Sequence, residues 1–356
     1  MSANKVAWCG VWSRDHNNIR YSELLPRLTA VDKYYVHLSR WWPVRGVQRR
    51  IWQPLLIRLL RARYTTLLCT AWWQASLFAG RVVIDLDDPV FTAREAGALA
   101  GRNVACVVVT TERVRERLRE GGVRTPIEII PQGVAADRID ARRVREIREG
   151  WREPGGEVIA GLHQPHFELA HELPERDLAR LYAVDRLLEA FAKVVQEEPQ
   201  ARLCLVGRPS AGVEALAAHH PWLRLAGYVP HEQVLNYVSA FDIGLFPREV
   251  DAGGWGSIKL LEYMACGVPV VGTHVSEMEE VLGAKAGVRA EDWEQFALWI
   301  KRLCREDSLR VAFGERGRAY ASEHSWAAVA EQYQRKLGEV AGSVQRGSEV
   351  DLTAHR

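Results

Sequence analysis

The stretch Pro247 to Thr273, PREVDAGGWGSIKLLEYMACGVPVVGT, decides how the rest of the 356-residue chain is read. An apolar run, Ile243 to Phe246, leads into a loop with glycines at 253, 254 and 256. From Ser257 apolar residues recur at helical spacing until Gly267 stops them, and Val268 to Gly272 starts another strand. Such a junction presents backbone N–H groups and the positive end of a helix dipole, with no side chains to block close approach. It suits an anion, most directly a diphosphate. Lys259 falls in the first turn, where its ammonium can reach phosphates, and Glu262 lies three residues on along the same face, where a carboxylate can accept from sugar hydroxyls. Spacing alone leaves an alternative open: a surface ion pair worth about 0.2–0.5 kcal/mol on an ordinary helix.

Outward from this stretch, short β-branched runs alternate with longer amphipathic segments, the signature of βαβ units and parallel sheets. In the second half strands are expected at Glu157 to Leu162, Arg202 to Val206, Leu223 to Leu225, Ile243 to Phe246, Val268 to Gly272 and around Gly287 to Arg289. DRLLEAFAKVVQ, HEQVLNYVSAF, IKLLEYMACG and EQFALWIKRLCR supply the helices between them. In the first half strands are expected at Lys5 to Trp12, Tyr64 to Thr70, Val82 to Leu86, Val104 to Thr110 and Glu128 to Ile130, with ERVRERLREGG as a helix capped by paired glycines. PQGVAADR and the charged stretch to REPGGE mark a boundary, which gives an α/β chain of two doubly wound domains, 1–150 and 151–325. The length agrees, at ~150 residues per domain. A polar tail, 343–356, is expected to be disordered.

Composition excludes several classes. The net charge is only +2, the apolar fraction is 47 %, and no domain is basic enough throughout for nucleic acid. No run of ~18 uncharged apolar residues could span a bilayer, and the N-terminal segment lacks a secretory pattern, so cytoplasmic residence is expected. Cysteines 9, 69, 106, 204, 266 and 304 form no CxxC pair and read as reduced, buried residues. No GxGxxG follows the first strand, which disfavours a nicotinamide enzyme.

The 247–273 stretch resembles the retaining GT-B glycosyltransferases related to sucrose and glycogen synthases, in which a glycine-rich loop precedes a helix reading like KLLEYMACGVPVV. The likeness extends upstream through VDRLLEAFAKV, ARLCLVGRP and LAGYVPHEQVLNYVSAFDIGLFP, and earlier through VACVVVTTERVRERL and IEIIPQGVAADR. SWAAVAEQYQRKL resembles the family's last helix, here 326–342, which returns to the first domain. The resemblance covers about residues 80 to 340 and is strongest from 200 to 275. It implies a nucleoside-diphosphate-sugar donor, with Glu262 on the ribose hydroxyls. The loop at Gly253, Gly254, Gly256 and Ser257, with Lys259 and Arg208, would hold the diphosphate, and Tyr228 would lie on the donor side. No general base is named, because retaining members let the leaving phosphate assist.

Two departures stand out. The family's common form has a second glutamate eight residues before the helix glutamate, and that position is Gly254 here. Its contact with the transferred sugar would fall to Asp251 or to loop amides. Tyr182 stands near the position of a lysine that the family carries before its VD dipeptide.

The first domain usually holds the acceptor, and its motifs match least. Asn17 and Asn18 could cap a helix and turn amides toward an acceptor, and Trp72 and Trp73 could stack on a sugar or simply pack. Asp85-Leu86-Asp87 imitates a metal-binding DxD motif but also suits a strand end capping the next helix; no metal or other cofactor is expected. Residues 40–63, RWWPVRGVQRRIWQPLLIRLLRAR, hold seven arginines, three tryptophans and no acid. Ile51, Trp52, Leu55, Leu56, Leu59 and Leu60 form a stripe suited either to an anionic membrane surface or to the domain's own sheet. The expected activity is transfer of a sugar to a hydroxyl acceptor, metal-independent and retaining, in a cleft between the domains. A donor-binding subunit without turnover and a GT-B sugar-nucleotide epimerase are the alternatives.

Overall fold

The computed structural model describes residues 6–12, 18–37, 48–87, 89–151, 157–173, 184–251, 253–254 and 256–353. They form two compact units, residues 1–133 with 326–356, and 134–325.

The first unit is built on six parallel strands: β1 (Val6–Trp12), β2 (Val31–His37), β3 (Thr66–Cys69), β4 (Arg81–Asp85), β5 (Val104–Val109) and β6 (Ile127–Ile129). Their order across the sheet is β2-β1-β3-β4-β5-β6. Strand β2 is absent from the sequence reading. VDKYYVH carries Asp32 and Lys33 because it is an edge strand, paired only with β1, and so lacks the uniform apolar run of the central strands. Threonine caps are frequent here: Thr92 accepts from the Glu95 N–H and Thr111 from the Val114 N–H at 3.2 Å each.

The second unit has six parallel strands, β7 (Val158–Phe167), β8 (Ala201–Pro209), β9 (Leu223–Gly227), β10 (Ile243–Phe246), β11 (Val270–Gly272) and β12 (Gly287–Arg289). All six lie where the sequence places them. Their order is β12-β11-β10-β7-β8-β9. Both faces are covered. Leu162, Phe191, Leu203, Leu205, Leu245 and Phe296 pack on one side; Ile159, Cys204, Val206, Leu260, Tyr263 and Met264 pack on the other.

Two boundaries differ from expectation. The units divide at 133/134 rather than 150/151, because the segment after Gly133 belongs to the second core. Asn236 Oδ1 accepts from the Asp140 N–H at 2.7 Å, Arg148 pairs with Asp242 at 3.1 Å, and Trp151 stacks on Phe241. The expected disordered tail from 343 is instead helical to 353, as part of the helix Trp326–Thr353. A helix already nucleated gains one hydrogen bond for each residue it adds. This helix belongs to the first unit, where Lys336 pairs with Glu128 at 2.8 Å.

Candidate functional site

In the second unit the strand order reverses between β7 and β10, whose partners run Ile243–Ala160 and Gly244–Gly161. The carboxyl ends of strands at such a switch point are where open α/β sheets bind ligands. Continuing the register puts His163 level with Phe246, and the chain leaving β10 carries Arg248, the glycine loop and the helix Ile258–Cys266.

The loop is tied down by Asp251. Its Oδ1 accepts from the Gly253 N–H and the Ser276 hydroxyl at 2.6 Å each, and its Oδ2 accepts from the Ser276 N–H at 3.2 Å. Gly253 and Gly254 both have positive φ, 91° and 80°, a conformation that would strain a side-chain-bearing residue. Ser257 caps the helix without a side-chain hydrogen bond, and the first turn holds no acid. The dipole's positive end therefore meets no anionic side chain of its own first turn. At the far end Gly267 is left-handed (φ 68°), and its N–H bonds back to the Met264 and Tyr263 carbonyls.

Glu262 is not a surface residue. His163 Nε2 lies 2.7 Å from its Oε2, with the two side chains only 9 % and 6 % exposed. Lys259, half-buried, has no carboxylate within ion-pair distance among the described residues, so the surface pair that spacing left open does not form. Burial and the nearby Arg248 guanidinium push the Lys259 ammonium down to about 7, against an opposing pull from Glu262. Arg248, which the sequence reading passed over, lies over the Phe246 ring and pairs with Glu277 at 3.5 Å. Its signal was its place two residues after β10. His163 was also missed, because a histidine in GLHQPH follows no recognisable spacing. Arg208 lies at the exposed end of β8, 5.2 Å above the ring of the exposed Tyr228. Those two residues meet each other, and among the described residues no hydrogen bond or ion pair joins them to Lys259 or Glu262.

In the first unit Asn18 acts as a cap: its Oδ1 accepts from the Tyr21 N–H at 3.3 Å while its Nδ2 donates to Asp87 at 3.0 Å. Asn17, Asp88 and Tyr182 lie outside the described residues. Asp85 is buried against Arg20 at 3.2 Å, and Asp87 also accepts from Gln132 at 2.6 Å, so both acids hold structure. Trp72 and Trp73 are half-buried, with the Arg94 guanidinium 5.6 Å over the Trp72 ring. Within residues 40–63 the structure describes 48–63. Ile51, Trp52, Leu55 and Leu59 are 44–63 % exposed, Leu56 is half-buried, and Leu60, expected on the same stripe, is buried with Ile57.

The six cysteines are all buried and unbridged. Burial pushes the Cys106 thiol to about 11 and those of Cys9, Cys204, Cys266 and Cys304 to about 12, which suits packing rather than nucleophilic work. No group of three His, Cys, Asp or Glu able to hold a metal occurs among the described residues, and none of their helices is long and apolar enough to cross a membrane.

Comparison with known proteins adds a family. Residues 177–306 match the glycosyl transferases group 1 family. The chain is 28 % identical over 266 residues to a D-inositol 3-phosphate glycosyltransferase of Corynebacterium jeikeium, a match that takes in 69 % of this chain and 60 % of that relative's length. Among solved structures, sucrose-phosphate synthase from Thermosynechococcus elongatus superposes with a TM-score of 0.73 at 18 % identity, over 95 % of this chain and 99 % of that one. HepE from Anabaena, solved in complex with UDP, gives 0.71 at 13 % identity over 94 % and 100 %. The family match thus falls within the second domain, and the chain has the GT-B fold.

Proposed function

We propose that this protein transfers a sugar from a nucleoside diphosphate to a hydroxyl acceptor, and that its second domain holds the donor. The observation that carries this reading is Lys259. It is a half-buried ammonium with no carboxylate at ion-pair distance among the described residues, set in the first turn of a helix that opens from a glycine loop at the switch point. A diphosphate there would meet Lys259, Arg248 and the amides of Ile258 and Lys259, which precede the helix's first hydrogen bond, from the Leu260 N–H to the Ser257 carbonyl at 3.1 Å. The same groups would stabilise charge growing on the departing diphosphate, without a metal. Glu262 would accept from the ribose hydroxyls, while Arg208 and Tyr228 would meet the donor further along the strand ends. Retention of configuration is part of the proposal by analogy with the family.

UDP is the first probe, because the HepE structure is a UDP complex. A thermal-shift screen of UDP, GDP, ADP and their sugars, with and without magnesium, should give a rise for one base that Glu262→Ala abolishes. No rise with any nucleotide would overturn the donor reading. Binding without turnover on any acceptor would favour a donor-binding subunit, and isomerised donor in the absence of acceptor would favour an epimerase.

A second observation bears on the acceptor. The exposed face of Ile51, Trp52, Leu55 and Leu59 is flanked by exposed Arg50, Arg58, Arg61 and Arg63. We propose that it docks on an anionic lipid surface, where each arginine contributes about 1 kcal/mol. The acceptor would then be lipid-linked. Vesicles of phosphatidylglycerol should sediment the protein at low salt, and vesicles of phosphatidylcholine should not. Equal behaviour with both would remove this reading.

A further inference from the structure

One buried titratable side chain at the switch point has no part in the donor contacts proposed for Lys259, Arg248 and Glu262. We propose that His163 is a positioning residue, which fixes the Glu262 carboxylate in the orientation that receives the ribose hydroxyls; this rests on the donor-site reading.

His163 is the sixth of the ten residues of β7, level with the end of β10, and its Nε2 lies 2.7 Å from Glu262 Oε2. The ring itself is held. It meets Tyr263 edge-on, with centroids 5.1 Å apart and planes at 85°. Tyr263 in turn donates to the Leu245 carbonyl at 3.1 Å and lies 3.3 Å from that of Gly161, one on β10 and one on β7. The imidazole is thus referenced to the two strands that form the crevice. Its other nitrogen, Nδ1, is buried and has no hydrogen-bond partner among the described residues.

That asymmetry sets the proton. An imidazolium would bury an N–H at Nδ1 with no acceptor, whereas a neutral ring protonated at Nε2 leaves Nδ1 as a bare lone pair, the cheaper group to bury. Burial moves the ring the same way, keeping its pKa below the ordinary histidine value in spite of the carboxylate. His163 therefore donates one hydrogen bond from Nε2 and brings no charge. The remaining lone pairs on both Glu262 oxygens stay available as acceptors. A free glutamate would lose side-chain rotamers on binding; the histidine removes much of that cost beforehand.

The experiment is calorimetric titration of UDP, 2′-deoxyuridine diphosphate and inorganic pyrophosphate into wild type, Glu262→Ala, His163→Leu, His163→Gln and His163→Asn. The Gln amide nitrogen sits three bonds from Cβ, like histidine Nε2, and the Asn nitrogen only two. His163→Leu should weaken UDP by about tenfold, the scale of one hydrogen bond to a charged group. It should also shrink the preference for UDP over the deoxy analogue and leave pyrophosphate unchanged. Gln should restore the preference and Asn should not. If Glu262→Ala loses UDP but His163→Leu keeps both affinity and preference, the histidine's role is overturned and the donor site stands. Equal weakening of UDP and pyrophosphate in His163→Leu would show general damage and also overturn it. No binding of UDP to wild type would remove the donor site and this inference together.

Discussion

The two domains share an architecture and treat charge at the strand ends in opposite ways. In the first, Arg20 is fully buried and its five N–H donors meet Asp85, the Ile130 and Pro131 carbonyls, Gln132 and the Tyr333 hydroxyl, all at 2.7–3.2 Å. In the second, Lys259 is half-buried with no carboxylate at ion-pair distance among the described residues, and its proton is held weakly. A cation whose donors are all filled ties segments of the chain together, here the helix Ile19–Arg27, the ends of β4 and β6, and the C-terminal helix. A cation left short of partners is positioned for something that arrives from outside. The second pattern is the one expected of a binding site.

The largest effect tests the closed half of this comparison. Arg20→Leu leaves Asp85 buried without its partner and should cost about 3–5 kcal/mol in urea unfolding. Arg20→Leu combined with Asp85→Leu should recover much of that loss, since the pair's worth lies mainly in its members not being separated. A loss below about 1 kcal/mol for the single variant would mean that the network is not closed.

The open half predicts two pH effects of opposite sign. Lys259 falls from its ordinary value of 10.5 to about 7 in the folded protein. Between those values the unfolded chain carries more protons, so this lysine makes the fold less stable at low pH and relieves that cost as pH rises from about 7. Diphosphate binding needs the charged form, so UDP affinity should fall by up to about tenfold per pH unit above 7. Titration calorimetry from pH 6.5 to 9 would measure the slope. Lys259→Met should flatten it. A flat profile in wild type would place the diphosphate elsewhere.

This contrast also explains what the sequence could convey. The second domain was legible because its central strands are uniformly apolar and its glycine loop carries two left-handed residues, signals that local spacing preserves. Lys259 and Glu262 could be named from a single helical turn. Arg248 could have been, since it stands two residues past a strand end. The His163–Glu262 pair spans 99 residues, and nothing local announces it. The first domain was legible only as strands and helices. Its edge strand β2 is polar, and Arg20 reaches partners as far away as Tyr333, which no periodicity encodes. The DxD-like Asp85 and Asp87 show the converse: the motif is plain, but tertiary contacts with Arg20, Asn18 and Gln132 give it a structural task.

The smallest expected effect concerns one acid in each domain that braces a loop. Asp87 takes the Asn18 and Gln132 side chains, and Asp251 takes the Gly253 N–H and Ser276. With Gly254 standing where relatives carry a glutamate, Asp251 had been a candidate for contact with the transferred sugar. Its Oδ1 is instead taken by the Gly253 N–H and the Ser276 hydroxyl and its Oδ2 by the Ser276 N–H, and a brace of this kind acts on every ligand of the loop alike. Asp251→Ala should therefore weaken UDP and UDP-sugar equally, by about 2- to 5-fold, the scale of one neutral hydrogen bond. Asp251→Asn should lose less, since its amide oxygen can still accept. Weakening confined to the UDP-sugar would show instead that Asp251 turns from the loop to the sugar when the donor binds, and the parallel with Asp87 would end there.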